Sequence, residues 1–547
     1  MPMTPAHRPL EPRTDPIARA GGNLAGIARW AAHTWPDRPA FEHENGERLT
    51  FAQLATRVAG LAGQLRERGV RQGDILAVSL DSCSTLLLLV PAVAHLGASM
   101  VPLNPAFTAP ELDHILGLIE PTHVVATPEF CVAHRDRLQR RGTVIIPFQE
   151  PVPGAGPPLR PVDAPFDDLG RAEHLDARIR FGLTSGSTGV PKAVAKTQRQ
   201  WLLDGRAVAT VMGLTENDRV MSSQPLYYGD PLALLMATLQ SGATAVYLSR
   251  FRSQTFMENV RSRSITKFLT IGSMPAMLLN TKPGPFDSGH QAIAAWSVAI
   301  PRHLHAELER RFAIPWLELY GTSEMGAALG QPLPTEIDTE GSTAAGPREV
   351  GAGWLGRPLP GIELRLTDED GQIIEGDGVG MLEVRGPTVT NAYHRRPDAT
   401  AQAFLQGGWY RSGDIMERHG ADYRYISRTK DIVRRAGENI SCQEVEAALR
   451  DQPGIVDAAI IARPDPIRGE EVWAFLQVAQ LPADTRLARE RAEAVVAGAA
   501  GSLARHKLPR YVSFVDRFER TPSERVVKRR LAELGDRFPP CDLGERR

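Results

Sequence analysis

From about residue 48 onward, short apolar runs alternate with longer stretches whose apolar positions return every three or four residues. DILAVSL reads as a strand, TLLLLVPAVAHLGA as a helix, SMVPLNP as a strand, PELDHILGLIE as a helix and HVVAT as a strand. That rhythm is expected of parallel βαβ units, because each crossover between parallel strands takes a helix. It returns after IRFGL: ATAVYLS, a helix from about Ser253 to Arg263, KFLTIGS and AAWSVAI follow in turn. The most apolar run contains Pro91 and His95 and falls short of the roughly 20 apolar residues that span a bilayer, so a buried helix is expected and no membrane span.

The pattern shifts twice more. Between about 350 and 427, GIELRLTDEDG, GMLEVRGP and DYRYIS place turn residues between short strands, as in a β-rich subdomain. Beyond Asp431, VDAAIIA, VWAFLQVA, a helix through about 485–506, YVSFVDRF and a final helix predict a compact α+β unit. The expected fold class is α/β. A large N-terminal domain, 21–430, holds two α/β subdomains plus a β-rich one, and a small α+β C-terminal domain covers 431–547. Residues 1–20, rich in proline and charge, are expected to be a disordered lead-in, 150–165 a surface loop, and no internal repeat is found.

Composition narrows the chemistry. The 547 residues are 42% hydrophobic and 23% charged with a formal net charge of -1, so no basic surface for nucleic acid is expected. Cys83, Cys131, Cys442 and Cys541 lie far apart, without the spacing of a zinc site or a disulfide framework. With no apolar leader at the N-terminus, a cytoplasmic protein is expected, monomeric or homodimeric.

Four stretches carry candidate chemistry. LTSGSTGVPK, 183–192, offers close backbone approach from glycine, hydroxyls from Ser and Thr, and the point charge of Lys192. These groups suit a phosphate, although an ordinary polar turn has the same composition, and no Ser or Thr follows Lys192 as a Walker A loop would require. LYGTSEM places Tyr320, Thr322 and Glu324 on a turn, giving a ring face for a purine, a hydroxyl for a phosphate and a carboxylate for Mg2+. GWYRSGDI adds Asp414, and ISRTKDIVRRAGENIS adds Arg428, Lys430, Asp431, Arg434 and Arg435. Singly, these read equally well as a core aromatic, a turn aspartate and a solvated charged face. Ser441 with Glu444 three residues later reads as a helix capping box.

In order and spacing the four stretches resemble the acyl-adenylate-forming enzymes, which include acyl-CoA synthetases, luciferases and peptide-synthetase adenylation domains. The resemblance runs from about Asn23 to Leu531. It implies that Thr184, Ser185, Ser187, Thr188 and Lys192 cover the β- and γ-phosphates of ATP. Tyr320 would stack on adenine beside Ala299, Thr322 would touch the α-phosphate, and Glu324 would bind Mg2+. Asp414 and Arg428 would hold the ribose. Ser297, Val298 and Met325, with Tyr228 and Asp230 of QPLYYGDPLALL, would line the acyl pocket. Asp431 would be the hinge of a mobile small domain, and Gly437 and Glu438 would face the pantetheine thiol, a turn being the alternative. GENISCQEVE and DPIRGEEVWAFL also resemble the carnitine/crotonobetaine-CoA ligase branch.

Three positions depart from the family pattern. In RTPSERVVKRRL, Glu524 and Arg525 stand where glycine and the adenylation lysine are usual, leaving three readings: Arg525 acts, Lys528 substitutes, or adenylation is weak. Tyr228 replaces a common histidine, and Asp230 nearby would meet a cationic or amino-bearing acid or simply cap a helix. Val298 replaces a common glycine and shortens the pocket. The implied activity is ATP- and Mg2+-dependent activation of a small carboxylic acid, then transfer to CoA. A carrier-protein phosphopantetheine or a nitrogen nucleophile is the alternative acceptor, and a nucleotide-binding member with impaired adenylation is the alternative outside catalysis.

Overall fold

The computed structural model describes residues 15–80, 84–105, 107–184, 192–272, 274–298, 300, 304–333, 353–428, 431–435, 438–466, 468–520 and 526–544. Of the expected site residues, Ser185, Ser187, Thr188, Ala299, Gly437 and Arg525 lie outside these, as does Lys430. The chain divides into two compact units, Met1–Glu363 with Val384–Tyr410, and Leu364–Glu383 with Arg411–Arg547.

The strands of the first unit are β1 Pro39–His43, β2 Arg48–Thr50, β3 Ile75–Ser79, β4 Ser99–Pro102, β5 His123–Ala126, β6 Val144–Pro147, β7 Arg178–Thr184, β8 Lys192–Thr197, β9 Arg219–Ser222, β10 Thr244–Tyr247, β11 Lys267–Ile271, β12 Ala294–Val298, β13 Trp316–Thr322, β14 Gly326–Gly330 and β15 Trp354–Pro358. They form two sheets, as the two runs of βαβ pattern predict. One has the order β6-β5-β3-β4-β7-β8; the other runs β15-β14-β13-β12-β11-β9-β10-β1-β2. The inner pairs are parallel, whereas β7–β8, β13–β14 and β14–β15 are antiparallel. The β7–β8 and β13–β14 pairs therefore end parallel ladders, and the β13–β14 turn emerges at a strand end, where α/β folds place ligands.

The helix Ser84–His95 buries every residue from Ser84 to Ala94, including Pro91. A helix apolar all round is one enclosed by protein. Among the described residues no helix is long and apolar enough to cross a membrane. Three helices of this unit, Phe51–Glu67, Ala109–Ile119 and Gln198–Val211, start with reciprocal capping boxes at Thr50/Gln53, Thr108/Glu111 and Thr197/Gln200.

In the second unit, β16 Glu363–Thr367, β17 Gly378–Arg385, β18 Tyr410–His419 and β19 Asp422–Arg428 lie side by side. β20 Ile432–Arg435, β21 Glu438–Ser441, β22 Asp457–Asp465, β23 Gly469–Gln477, β24 Tyr511–Val515 and β25 Cys541–Asp542 form a sheet in the order β21-β20-β23-β24-β25, with β22 on β23. The helices Cys442–Arg450 and Thr485–Ala499 bury Val445, Leu449, Val495 and Val496 against Ile460, Val472 and Val512. The helix expected over 485–506 stops at Ala499, with Ala500 as its C-cap. The β-rich strands group with the C-terminal residues in this unit. A separate 431–547 domain remains a proposal.

Candidate functional site

β7 and β8 pair so that Thr184 faces Lys192 across the ladder, and the Ser- and Gly-rich stretch 185–191 lies between these two residues in sequence. Lys192 Nζ lies 4.3 Å from the centroid of the Tyr393 ring. The Tyr393 hydroxyl donates to Glu324 Oε1 at 3.0 Å. Tyr393 is itself fixed by a bridge to Val194 and an edge contact with Phe404 at 5.3 Å. One phenol thus joins the lysine at the base of the loop to a buried carboxylate. A second phenol, Tyr410, is pushed far up in pKa by burial and then by the Glu324 charge, so it stays neutral beside it.

Tyr320 and Thr322 occupy the end of β13 rather than a turn, and Glu324 sits in the tight connection to β14. Glu324 N–H donates to Thr322 Oγ1 at 3.3 Å, and Met325 N–H to Thr322 O at 3.3 Å. The connection requires Gly326. Its φ is +72°, and a Cβ there would lie 2.5 Å from Asp204 Oδ1 and 2.7 Å from Lys196 Nζ. Asp204 accepts from Ala327 N–H at 2.8 Å and pairs with Lys196 at 3.4 Å, both side chains almost wholly buried. A carboxylate from the helix Gln198–Val211 therefore holds the turn that carries Glu324.

On the expected acyl side, the helix Gly229–Ser241 starts after Tyr228, and Asp230 falls in its first turn instead of capping it. The Asp230 residue is exposed to solvent. Burial and then the Asp204 charge raise its pKa, opposed by a hydrogen bond from Gln224 and by Arg180. Arg180, 5% exposed on β7, is pushed down to about 10 by burial, against the pull of Asp230. It donates to Tyr227 O, and the Tyr227 and Tyr228 rings lie 4.8 Å apart. Ser297 pairs with Thr270 across β12 and β11. Both hydroxyls, like Gln224 Oε1, are buried with no hydrogen-bond partner among the described residues. Val298 is half-buried and Met325 fully buried.

Within the second unit, Asp414 and Arg428 are register partners on β18 and β19, joined by Nε–H···Oδ1 at 2.9 Å, with Asp414 buried. Asp431 and Lys528 meet at 3.3 Å, and Lys528 also contacts the buried Glu446 at 2.8 Å. Burial alone would lower the Lys528 pKa, but Glu446 and then Asp431 outweigh it and raise it. The capping box at Ser441 is half formed. Ser441 Oγ accepts from Glu444 N–H at 3.5 Å, while the Glu444 carboxylate turns to Lys507 at 2.7 Å. Glu438 lies on β21.

The AMP-binding enzyme family matches residues 28–394, about two-thirds of the chain. The chain belongs to that family. The C-terminal domain of AMP-binding enzymes matches residues 444–525. The chain is similar to the sulfoacetate–CoA ligase of Cupriavidus necator, 29% identical over 95% of this chain and 99% of that one. It is also similar to the indoleacetate–CoA ligase of Aromatoleum aromaticum, 28% identical over 89% and 93%. ATP-bound MatB from Rhodopseudomonas palustris shares the fold with a TM-score of 0.77, 25% identity and coverage of 94% and 99%. This AMP-binding enzyme is thus of the adenylating, acyl-CoA ligase kind.

The residues fit a Mg2+ ion brought with ATP. Among the described residues no group of three or more His, Cys, Asp or Glu could cage a metal. Mg2+ at nucleotide sites asks for less, one or two carboxylates plus phosphate oxygens and water. Glu324, whose Oε1 accepts from the Tyr393 hydroxyl, would supply the carboxylate. Reading the sequence alone missed Tyr393, Tyr410, Asp204, Gln224 and Arg180. Tyr410 lies in the quoted GWYRSGDI, whereas the others lie outside the four stretches and gain meaning only from pairing across the fold.

Proposed function

We propose that this chain joins a small carboxylic acid to AMP at the expense of ATP and passes the acyl group to the thiol of CoA. A carboxylate oxygen attacks the α-phosphorus and the bond to pyrophosphate breaks. The thiol sulfur then attacks the acyl carbonyl, its proton passes to solvent, and AMP leaves carrying that carboxylate oxygen. Bound Mg2+ would supply positive charge to the phosphate oxygens, which is worth several kcal/mol in reactions of this type. The single observation that carries the reading is the Lys192–Tyr393–Glu324 chain at the mouth of the β7–β8 hairpin, a cation and an oriented carboxylate on either side of one phenol.

In this reading Lys192, Thr184, Ser185, Ser187 and Thr188 take the β- and γ-phosphates, Tyr320 and Ala299 the adenine, Thr322 the α-phosphate, and Asp414 with Arg428 the ribose hydroxyls. Arg525 supplies the cation at the α-phosphate during adenylation. Asp431 is the hinge, Gly437 and Glu438 face the thiol, and Tyr228, Asp230, Ser297, Val298 and Met325 line the acyl pocket. The engagement of Lys528 by Asp431 and Glu446 favours Arg525 over Lys528 for the catalytic role. The names of the two CoA ligases favour CoA as acceptor, and their different acids leave the acyl group open.

The test is pyrophosphate release from ATP and Mg2+ over a panel of acids, with and without CoA, with products read by mass spectrometry. An acyl-CoA product is expected. Adenylate without thioester would move the acceptor to a carrier protein or a nitrogen nucleophile. ATP binding without pyrophosphate from any acid would overturn the reading.

A further inference from the structure

We propose that Arg180 selects acids that carry a second anionic group, a carboxylate or sulfonate, beyond the carboxylate that is activated. This rests on the adenylation reading above and names its substrate class. Arg180 is 5% exposed, so its charge has lost most of its water, a costly state unless an opposite charge or several hydrogen bonds replace it. Among the described residues its guanidinium has one hydrogen-bond partner, Tyr227 O, and no carboxylate within ion-pairing distance. Asp230 acts on it only through its field. A fork of five N–H donors is therefore engaged at one point.

Solvent reaches the residues around that fork. Gly182 and Gly229 flank it without side chains, their Cβ positions in ordinary contact range at 3.8 Å from Arg180 Nη1, and both are part-exposed, as are Tyr227 and Tyr228, while Asp230 is exposed. The Trp201 ring, its centroid 5.6 Å from Arg180 Cζ, forms an apolar wall. A buried, planar guanidinium with most of its donors unengaged, beside residues that solvent reaches, is suited to bidentate capture of a carboxylate or sulfonate. Its hydrogen bond runs to Tyr227, next to Tyr228 and close to Asp230, which sets it on the proposed acyl side. A cationic acid drawn to Asp230 would meet Arg180 as well and be repelled.

Malonate, succinate and 3-sulfopropionate would be compared with malonamate, succinamate, butanoate and β-alanine, in pyrophosphate release and in calorimetric binding to the full chain. The wild type is expected to favour the dianionic acids over their neutral counterparts by about 100-fold in kcat/KM, carried mainly in KM, and Arg180→Gln is expected to shrink that ratio to about threefold, with Arg180→Lys between. The proposal is overturned if the wild type uses the amides as well as the diacids or prefers β-alanine. It is also overturned if Arg180→Gln loses diacids and amides equally, which would place the guanidinium on a group all acids share. If no acid releases pyrophosphate, the adenylation reading fails separately, and calorimetry still decides this one. Succinate binding at least tenfold weaker in Arg180→Gln upholds it, and equal binding sinks it.

Discussion

Glu324 could be picked out from its neighbours in LYGTSEM, but what makes it useful is a hydroxyl 69 residues away. Tyr393 donates to Oε1 and keeps one carboxylate oxygen in place, so its loss leaves Glu324 free to rotate. Partners that orient a metal ligand are typically worth about 10–100-fold in metal affinity, so Tyr393→Phe should raise the Mg2+ needed for half-maximal pyrophosphate release by about 10-fold or more. An unchanged requirement would detach Tyr393 from the site. Asp230 makes a prediction of opposite sign. Its pKa is raised on folding, so the folded chain holds the proton more tightly and stability falls as pH rises from the unfolded value of about 3.9 through the folded one. Asp230→Asn should therefore raise the melting temperature at neutral pH and lose that advantage below about pH 4, where both states are protonated. A variant that melts lower at neutral pH would show that Asp230 contributes through its charge.

At the scale of elements, alternating strand and helix patterns were legible because each strand of a parallel sheet is an unbroken apolar run. Hairpins at the edges were less so, since β8 contains two lysines and β14 is glycine and alanine with one leucine. The β13–β14 turn shows why. Its conformation depends on Gly326, Asp204 and Lys196, three residues that no single stretch contains. Asp204→Ala would strip Ala327 N–H of its acceptor and leave Lys196 charged and buried. Removing one partner of such a pair typically costs about 3–5 kcal/mol, and urea unfolding should register a loss of that size. A loss below about 1 kcal/mol would place the pair with weak surface bridges. Ser441 teaches the same lesson in reverse. The local signal located the helix start correctly, but it could not foresee that Lys507, 63 residues on, would claim the Glu444 carboxylate.

For the whole molecule, family order of motifs told more than any periodicity, because it named the family that residues 28–394 match. Within the first unit Tyr320 and Thr322 end β13 just before Glu324, and within the second Asp414 and Arg428 are register partners. Lys528 tells another story. Within the second unit it ties the entry of the last helix to Asp431 and Glu446, and because Glu446 also keeps Arg450 at 3.5 Å and the Ile460 N–H at 2.8 Å, Lys528→Met should cost only about 1 kcal/mol in denaturant unfolding. A stable variant that nonetheless fails to release pyrophosphate would hand it the adenylation role instead. Bonding of a carboxylate oxygen to the α-phosphorus can be read from an isotope label. An acid that is turned over would be supplied with both carboxylate oxygens as 18O, together with ATP, Mg2+ and CoA, and the nucleotide product weighed. AMP carrying one 18O is the result this account predicts, and unlabelled AMP or a product of ADP would contradict it.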